Sequence, residues 1–231
     1  MKKVLITGGN KGIGLATTKK FLKNGFFVFV VARDFSSFKL KHKNLKTIEF
    51  DLTNNTEIPS FAQKIGDIDI LINNAGMMHA LPFDNYSEEK MEEILSVNIK
   101  SPVALIREFS KGMVKKKQGR IVNIASIAGE IGHPDIWYGI TKAGMINITK
   151  SFAKILGPKG IVVNAVAPGP VETNMLKTIP EARKKAIKKI VYSARFAKPE
   201  EVAETIYWLS TDCPEYINGI CIDINNGAFP R

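Results

Sequence analysis

Residues 126 to 142 read SIAGEIGHPDIWYGITK, a serine, a tyrosine and a lysine among mostly small and apolar neighbours. Tyr138 and Lys142 are four apart in a stretch patterned as a helix over 136–156. They therefore face the same way, with Cβ atoms about 5–6 Å apart. A free phenol, with a pKa of about 10, holds its proton too tightly for efficient exchange near neutrality. A nearby ammonium favours the phenolate and lowers that value. Ser126 closes an apolar run, and a hydroxyl there can hold a carbonyl oxygen and share developing charge. Together the three suit one constellation for proton transfer. Singly they read as surface decoration and a turn former, so the elements around them have to decide.

Those elements alternate. Short β-branched runs read as buried strands at KVLIT, FFVFVVA, LKTIEF, IDILIN, RIVNIA, IVVNAV and ICIDI. Between them lie helical patterns: IGLATTKKFLKN ending at Asn24-Gly25, IPSFAQKI, a long region from Ser87 to Lys117, residues 136–156, and PEEVAETIYWLS with proline in its first turn. Residues 34–44 have room for a short helix at most. Ser87 with Glu88 and Glu89 places a cap and negative charge at a helix start, and Pro102 should kink or break the long region. Continuous apolar strands alternating with helices predict one α/β domain over residues 1–231. It is a Rossmann-type doubly wound sheet of about seven mostly parallel strands with helices on both faces. Ligands bind such sheets beyond the carboxyl ends of the strands, which is where Ser126 falls.

The first strand runs into TGGNKGIG, residues 7–14. Gly8, Gly12 and Gly14 allow a tight turn and close approach to a pyrophosphate, and the helix from about Ile13 points its amides the same way. The second strand ends in Ala32-Arg33-Asp34. Asp34 stands at the distance expected of a ribose-binding acid, but it lies past the strand end and behind an arginine. Arg33 and Lys11 favour a cofactor with an extra phosphate, so NADP(H) is preferred, with NAD(H) possible.

The motifs TGGNKGIG (7–14), DL (51–52), NNAG (73–76), VN (97–98), IAS (124–126), YGITK (138–142) and PGPVET (168–173) follow one another in register. In this order and spacing the chain resembles the short-chain dehydrogenase/reductase family, from Lys3 to the last strand. Within it, the chain is most similar to the 3-oxoacyl-(acyl-carrier-protein) reductases. The resemblance implies a catalytic tetrad of Asn98, Ser126, Tyr138 and Lys142. Tyr138 would donate the proton, Lys142 would also bond the nicotinamide ribose, and Asn98 would hold a water linking Lys142 to solvent. It implies a cofactor site with Gly8, Asn10, Lys11, Gly12, Ile13, Gly14 and Arg33 around the phosphates, and Asp51 and Leu52 at the adenine. Asn73, Asn74, Ala75 and Gly76 would line the adenosine side. Pro168, Gly169, Val171 and Thr173 would face the nicotinamide carboxamide. Residues near 174–195 would form a substrate lid, and a homotetramer or homodimer is the default.

The chain has 33 Lys and Arg against 22 Asp and Glu, a formal net charge of +11. That excess suits an anionic partner such as nucleic acid, an acidic protein or a phosphorylated ligand; solvated faces explain it equally well. Lys117 and Lys159 match positions where carrier-protein reductases dock an acidic acyl carrier, which implies an acyl thioester substrate. The basic runs lack interleaved aromatics, which weakens a nucleic-acid reading. Sugar, polyol or steroid-like alcohols remain the alternative substrates, and a non-catalytic dinucleotide or nucleic-acid binding protein the alternative class. Two cysteines without CxxC exclude a disulfide framework. His42, His79 and His133 lack ligand spacing, so no metal is expected. No apolar run approaches the length of a membrane span, the MKKVLITGG start breaks off in the glycine loop, and a cytoplasmic location is expected. Trp137 either narrows the pocket or packs as core.

Overall fold

A computed structural model describes residues 1–177 and 180–230. Its seven described strands are β1 (Lys3–Thr7), β2 (Phe27–Ala32), β3 (Leu45–Glu49), β4 (Ile70–Asn73), β5 (Gly119–Ile124), β6 (Ile161–Pro168) and β7 (Cys221–Ile224). They form one sheet in the order β3-β2-β1-β4-β5-β6-β7, every pairing parallel. The helices are α1 (Gly12–Lys23), α2 (Ile58–Ile65), α3 (Glu88–Leu95), α4 (Ser101–Lys116), α5 (Ile136–Leu156), α6 (Asn174–Lys177), α7 (Glu181–Ile190) and α8 (Pro199–Ser210).

Period-two alternation splits the core into two layers. Leu5, Phe29, Val31 and Leu71 point to one face, against Leu105 and Phe109 of α4 and Leu156 of α5. Val4, Ile6, Val30 and Ile72 point to the other, against Phe21 of α1 and Val202 and Ile206 of α8. Both faces are covered at the centre, so β1, β2 and β4 are apolar along nearly their whole length, while the edge strand β3 is largely exposed. No helix forms within 34–44, which is irregular, with turns at 36–37 and 43–44.

The long region expected from Ser87 to Lys117 is two helices joined by a π turn, Ser96–Lys100. Ser87 caps α3 as anticipated, accepting from the Lys90 amide. Pro102 stands in the first turn of α4 and has no amide to give the Asn98 carbonyl four residues back. The helix relieves this by widening, with the Ser101 amide reaching the Ser96 carbonyl. Pro102 thus breaks the ladder one turn upstream, at Asn98.

Candidate active site

The carboxyl ends of β1, β2, β4, β5 and β6 open into a cleft of about 920 Å³. At one end sits the glycine loop. Gly8 and Gly12 have φ of +64° and +52°, which a side chain would strain. A Cβ on Gly14 would come within 2.1 Å of the Gly8 carbonyl oxygen. The Asn74 side chain braces the loop from β4, donating to the carbonyls of Thr7 (2.8 Å) and Gly8 (3.2 Å). The first turn of α1 carries no acid, and the side chain of Lys11, its N-cap residue, accepts no hydrogen bond from it. Its amides are left to face an anion, so the cradle fits a dinucleotide pyrophosphate.

At the end of β2, Arg33 is largely exposed and lies 3.7 Å from Glu93 of α3. Asp34 turns onto its own loop, accepting from the Ser36 amide (2.7 Å) and hydroxyl (2.8 Å). Those two bonds, opposed only weakly by desolvation, hold its carboxyl below the usual range. Asp51 accepts from the Thr53 amide at 2.9 Å and lines the cleft with Leu52, Ala75 and Gly76. Pro168, Gly169, Val171 and Thr173 line the side beyond β6. Asn73 differs from expectation. It is buried within the sheet and donates to the Asn123 side chain at 2.8 Å, because strand alternation turns it into the core.

Ser126, Tyr138 and Lys142 all reach the cleft. Ser126 follows β5 and accepts from the Ala128 amide at 3.1 Å. Lys142 is buried, donates to the Ile124 carbonyl at 2.7 Å and lies 5.6 Å from the centre of the Tyr138 ring. Burial brings its pKa down to about 8. The expected lysine-driven depression of Tyr138 is not what this geometry gives. Burial pushes the phenol up, a hydrogen bond with Ser126 opposes that, and Asp135 adds to the rise. Desolvation is the largest influence on the phenol, and Lys142 gives its hydrogen bond to the Ile124 carbonyl.

Asn98 is buried beside the cleft rather than lining it. Its side chain accepts from the Met77 amide (2.9 Å) and donates to the Met77 carbonyl (2.9 Å) and the Thr141 hydroxyl (3.0 Å). The side-chain amide is therefore committed to positioning.

The rest of the cleft is largely apolar: Met77, Met78, Ile127, Ile131, Leu176, Ile187 and Ile190, with His133 and Arg183. Trp137 is half-buried outside this lining; His133 instead lies against Tyr138, ring centres 5.3 Å apart. His133 was not singled out for this place, having no spacing signal. Within the expected lid, α6 and α7 flank the opening, and residues 178–179 lie outside the described residues. Lys117 and Lys159 precede β5 and β6, at the opposite edge of the sheet from Ser126. At about 3.3 Å per residue, the six residues of β5 alone put roughly 20 Å between Lys117 and that site. Among the described residues, no helix is long and apolar enough to cross a membrane, and no cluster of three or more His, Cys, Asp or Glu could hold a metal.

The short chain dehydrogenase family model matches residues 2–184. The chain is 37% identical to the 3-oxoacyl-(acyl-carrier-protein) reductase FabG of Thermotoga maritima, over 98% of this chain and 97% of that protein. It is 34% identical to the reductase of the same name from Aquifex aeolicus, over 97% and 96%. Among solved structures, ElxO with NADP bound superposes with a TM-score of 0.89 at 31% identity, covering 100% of this chain and 99% of that one. The 4-hydroxyisoleucine dehydrogenase complexed with NADH gives 0.92 at 29% identity, covering 99% of each. The chain belongs to the short-chain dehydrogenase/reductase family of NAD(P)-dependent oxidoreductases, which act on alcohol and carbonyl groups.

Proposed function

We propose that this protein reduces the ketone of a 3-oxoacyl thioester to the secondary alcohol, with NADPH as the preferred reductant. The observation that carries the reading is the convergence of Ser126, Tyr138 and Lys142 beyond β5, facing an apolar wall. The nicotinamide, when bound, supplies a hydride to the carbonyl carbon. Ser126 holds the carbonyl oxygen as charge grows on it. Tyr138 gives that oxygen its proton, and its raised proton affinity keeps the phenol protonated as a donor. Lys142 stands between the phenol and the ribose position. Asn98 keeps the Met77 segment in place and holds a water that returns the proton.

The names of the curated relatives support the thioester. The apolar wall of Met77, Met78, Ile127 and Ile131 suits an acyl chain better than a polyol. Arg33 and Lys11, with Asp34 folded onto Ser36, support NADPH over NADH. Residues 174–195 act as the lid, the protein works as a homodimer or homotetramer, and its place is the cytoplasm. Lys117 and Lys159 serve as contacts for an acidic carrier protein. Within one chain they stand far from Ser126, so that contact operates through the oligomer.

The test is a panel of acetoacetyl-CoA, carrier-linked 3-oxoacyl substrates, sugars and small ketones, followed by NADPH oxidation. Acetoacetyl thioesters should give the highest kcat/KM, and Tyr138→Phe should bind NADPH yet lose turnover. A clear preference for sugars or polyols sinks the thioester reading. Full activity of a Lys117→Glu, Lys159→Glu variant on carrier-linked substrate sinks the docking assignment.

A further inference from the structure

Asp135 is the least expected residue near the site. It is 3% exposed, and its carboxylate accepts three hydrogen bonds from three separate places. Oδ1 takes the Tyr138 amide at 2.9 Å, which caps α5, and the Tyr86 hydroxyl at 2.6 Å. Oδ2 takes the Ala80 amide at 2.8 Å. All three partners are donors and none is a cation. A helix cap needs only the first bond, and a serine would provide it. The other two reach across to the segment between β4 and α3, residues 74–87.

That segment forms a wall of the cleft through Met77 and Met78. It is pinned at two points, and each pin ends on the backbone of Tyr138. Asn98 grips the amide and carbonyl of Met77 and donates to Thr141, whose hydroxyl donates to the Tyr138 carbonyl at 2.9 Å. Asp135 grips Ala80 and Tyr86 and accepts from the Tyr138 amide. Ala80 sits at φ +57°, a conformation that alanine seldom adopts unless its surroundings hold it there. Desolvation and the bond to Asp135 push the half-buried Tyr86 phenol well above its ordinary value, so it has no role as an exchanging proton donor.

We propose that Asp135 is a positioning residue for Tyr138. It locks the catalytic helix to the 77–86 wall, so the phenol and the pocket that presents the ketone move as one body. The inference rests on Tyr138 being the proton donor. It goes beyond that role by assigning its placement to a residue that touches no reacting atom.

Asp135 also has an electrostatic signature that a purely structural residue would lack. Tyr138 is faced by Lys142 of its own helix, His133 of the preceding loop, Ser126 beyond β5 and Asp135 at the cap, with Arg183 of α7 on the same cleft. Of these, Asp135 is a carboxylate, and its charge favours the protonated phenol. Removing that charge should move the alkaline limb of ketone reduction to lower pH.

The experiment compares Asp135→Ser and Tyr86→Phe with the wild-type enzyme, on whichever ketone of the panel the wild type turns over. Asp135→Ser keeps a cap for the Tyr138 amide but reaches neither Tyr86 nor Ala80. NADPH affinity, read by fluorescence titration, should stay within about twofold in both variants, because neither residue lines the cleft. In Asp135→Ser, kcat should fall about tenfold or more, in line with the penalty for ångström-scale misplacement, and the alkaline limb should move down. In Tyr86→Phe, which keeps the charge, kcat should fall by about threefold with no downward move of the limb. Unchanged kcat and an unmoved limb in Asp135→Ser overturn the proposal. Should that variant fail to fold, unchanged kcat/KM in Tyr86→Phe overturns it instead. A wild-type enzyme inactive on every ketone overturns the reductase reading, a result separate from either of these.

Discussion

Replacing Lys142 by methionine tests whether the buried ammonium opposes folding. Lys142 is 5% exposed, and burial takes its pKa from an ordinary 10.5 to about 8. At about 1.4 kcal/mol per pKa unit, the charged form is disfavoured in the folded protein by about 3 kcal/mol. Below pH 8 both folded and unfolded states carry the proton, so the wild type bears the full penalty. Between 8 and 10.5 the unfolded chain binds more protons than the folded one, so stability rises with pH. The penalty is gone once both states are neutral. The bond from Lys142 to the Ile124 carbonyl offsets part of the penalty at neutral pH, since a bond from a charged donor contributes about 1.5–3 kcal/mol. Urea unfolding of wild type and Lys142→Met at pH 7 and pH 9.5 should therefore show the wild type gaining about 2 kcal/mol on the variant over that interval. A difference between the two proteins that stays constant across the interval refutes the buried-charge account. Lys142→Met should be inactive at both pH values, as expected where a functional group is held at a cost to stability.

Three other outcomes follow from the same geometry. Gly14→Ala places a Cβ 2.1 Å from the Gly8 carbonyl and 2.5 Å from the Asn74 side chain. It should lower stability by about 1–3 kcal/mol and weaken NADPH binding, read by thermal shift and fluorescence titration. Ser126→Ala should cut kcat by about 10²-fold by removing a donor to the carbonyl oxygen. It should also move the alkaline limb of reduction upward, because the Ser126 bond lowers the phenol's pKa. Arg33→Ala should lower the ratio of kcat/KM for NADPH over NADH, and an unchanged ratio would remove Arg33 from the phosphate site.

Part of this site could be read directly along the chain. The run KVLIT followed by TGGNKGIG specifies a buried strand, a turn that favours glycine at Gly8 and Gly12, and a helix start, all within 14 residues. Tyr138 and Lys142 are paired by helical spacing alone, and Ser126 by its place at a strand end. Pro102 announces a break because a missing amide is a property of the residue itself. These features are local, so chain order is enough to find them.

The remainder depended on contacts between distant residues. Nothing in the spacing of Asp135, Tyr86 and Ala80 predicts that one carboxylate joins them, since they are 49 and 55 residues apart. Asn73 and Asn74 are neighbours of one type, yet strand alternation sends the first into the core and leaves the second to brace the glycine loop. Sequence named the pair of Tyr138 and Lys142 but gave the wrong sign for what the phenol experiences. Helical spacing fixes which side chains share a face. Desolvation depends on every atom that excludes water around them, and the direction of the ammonium depends on a carbonyl 18 residues away at the end of β5. The sequence by itself therefore determined the sheet, the cofactor loop and the chemical groups. Only the packed structure decided how strongly each group holds its proton and which residues keep it in place.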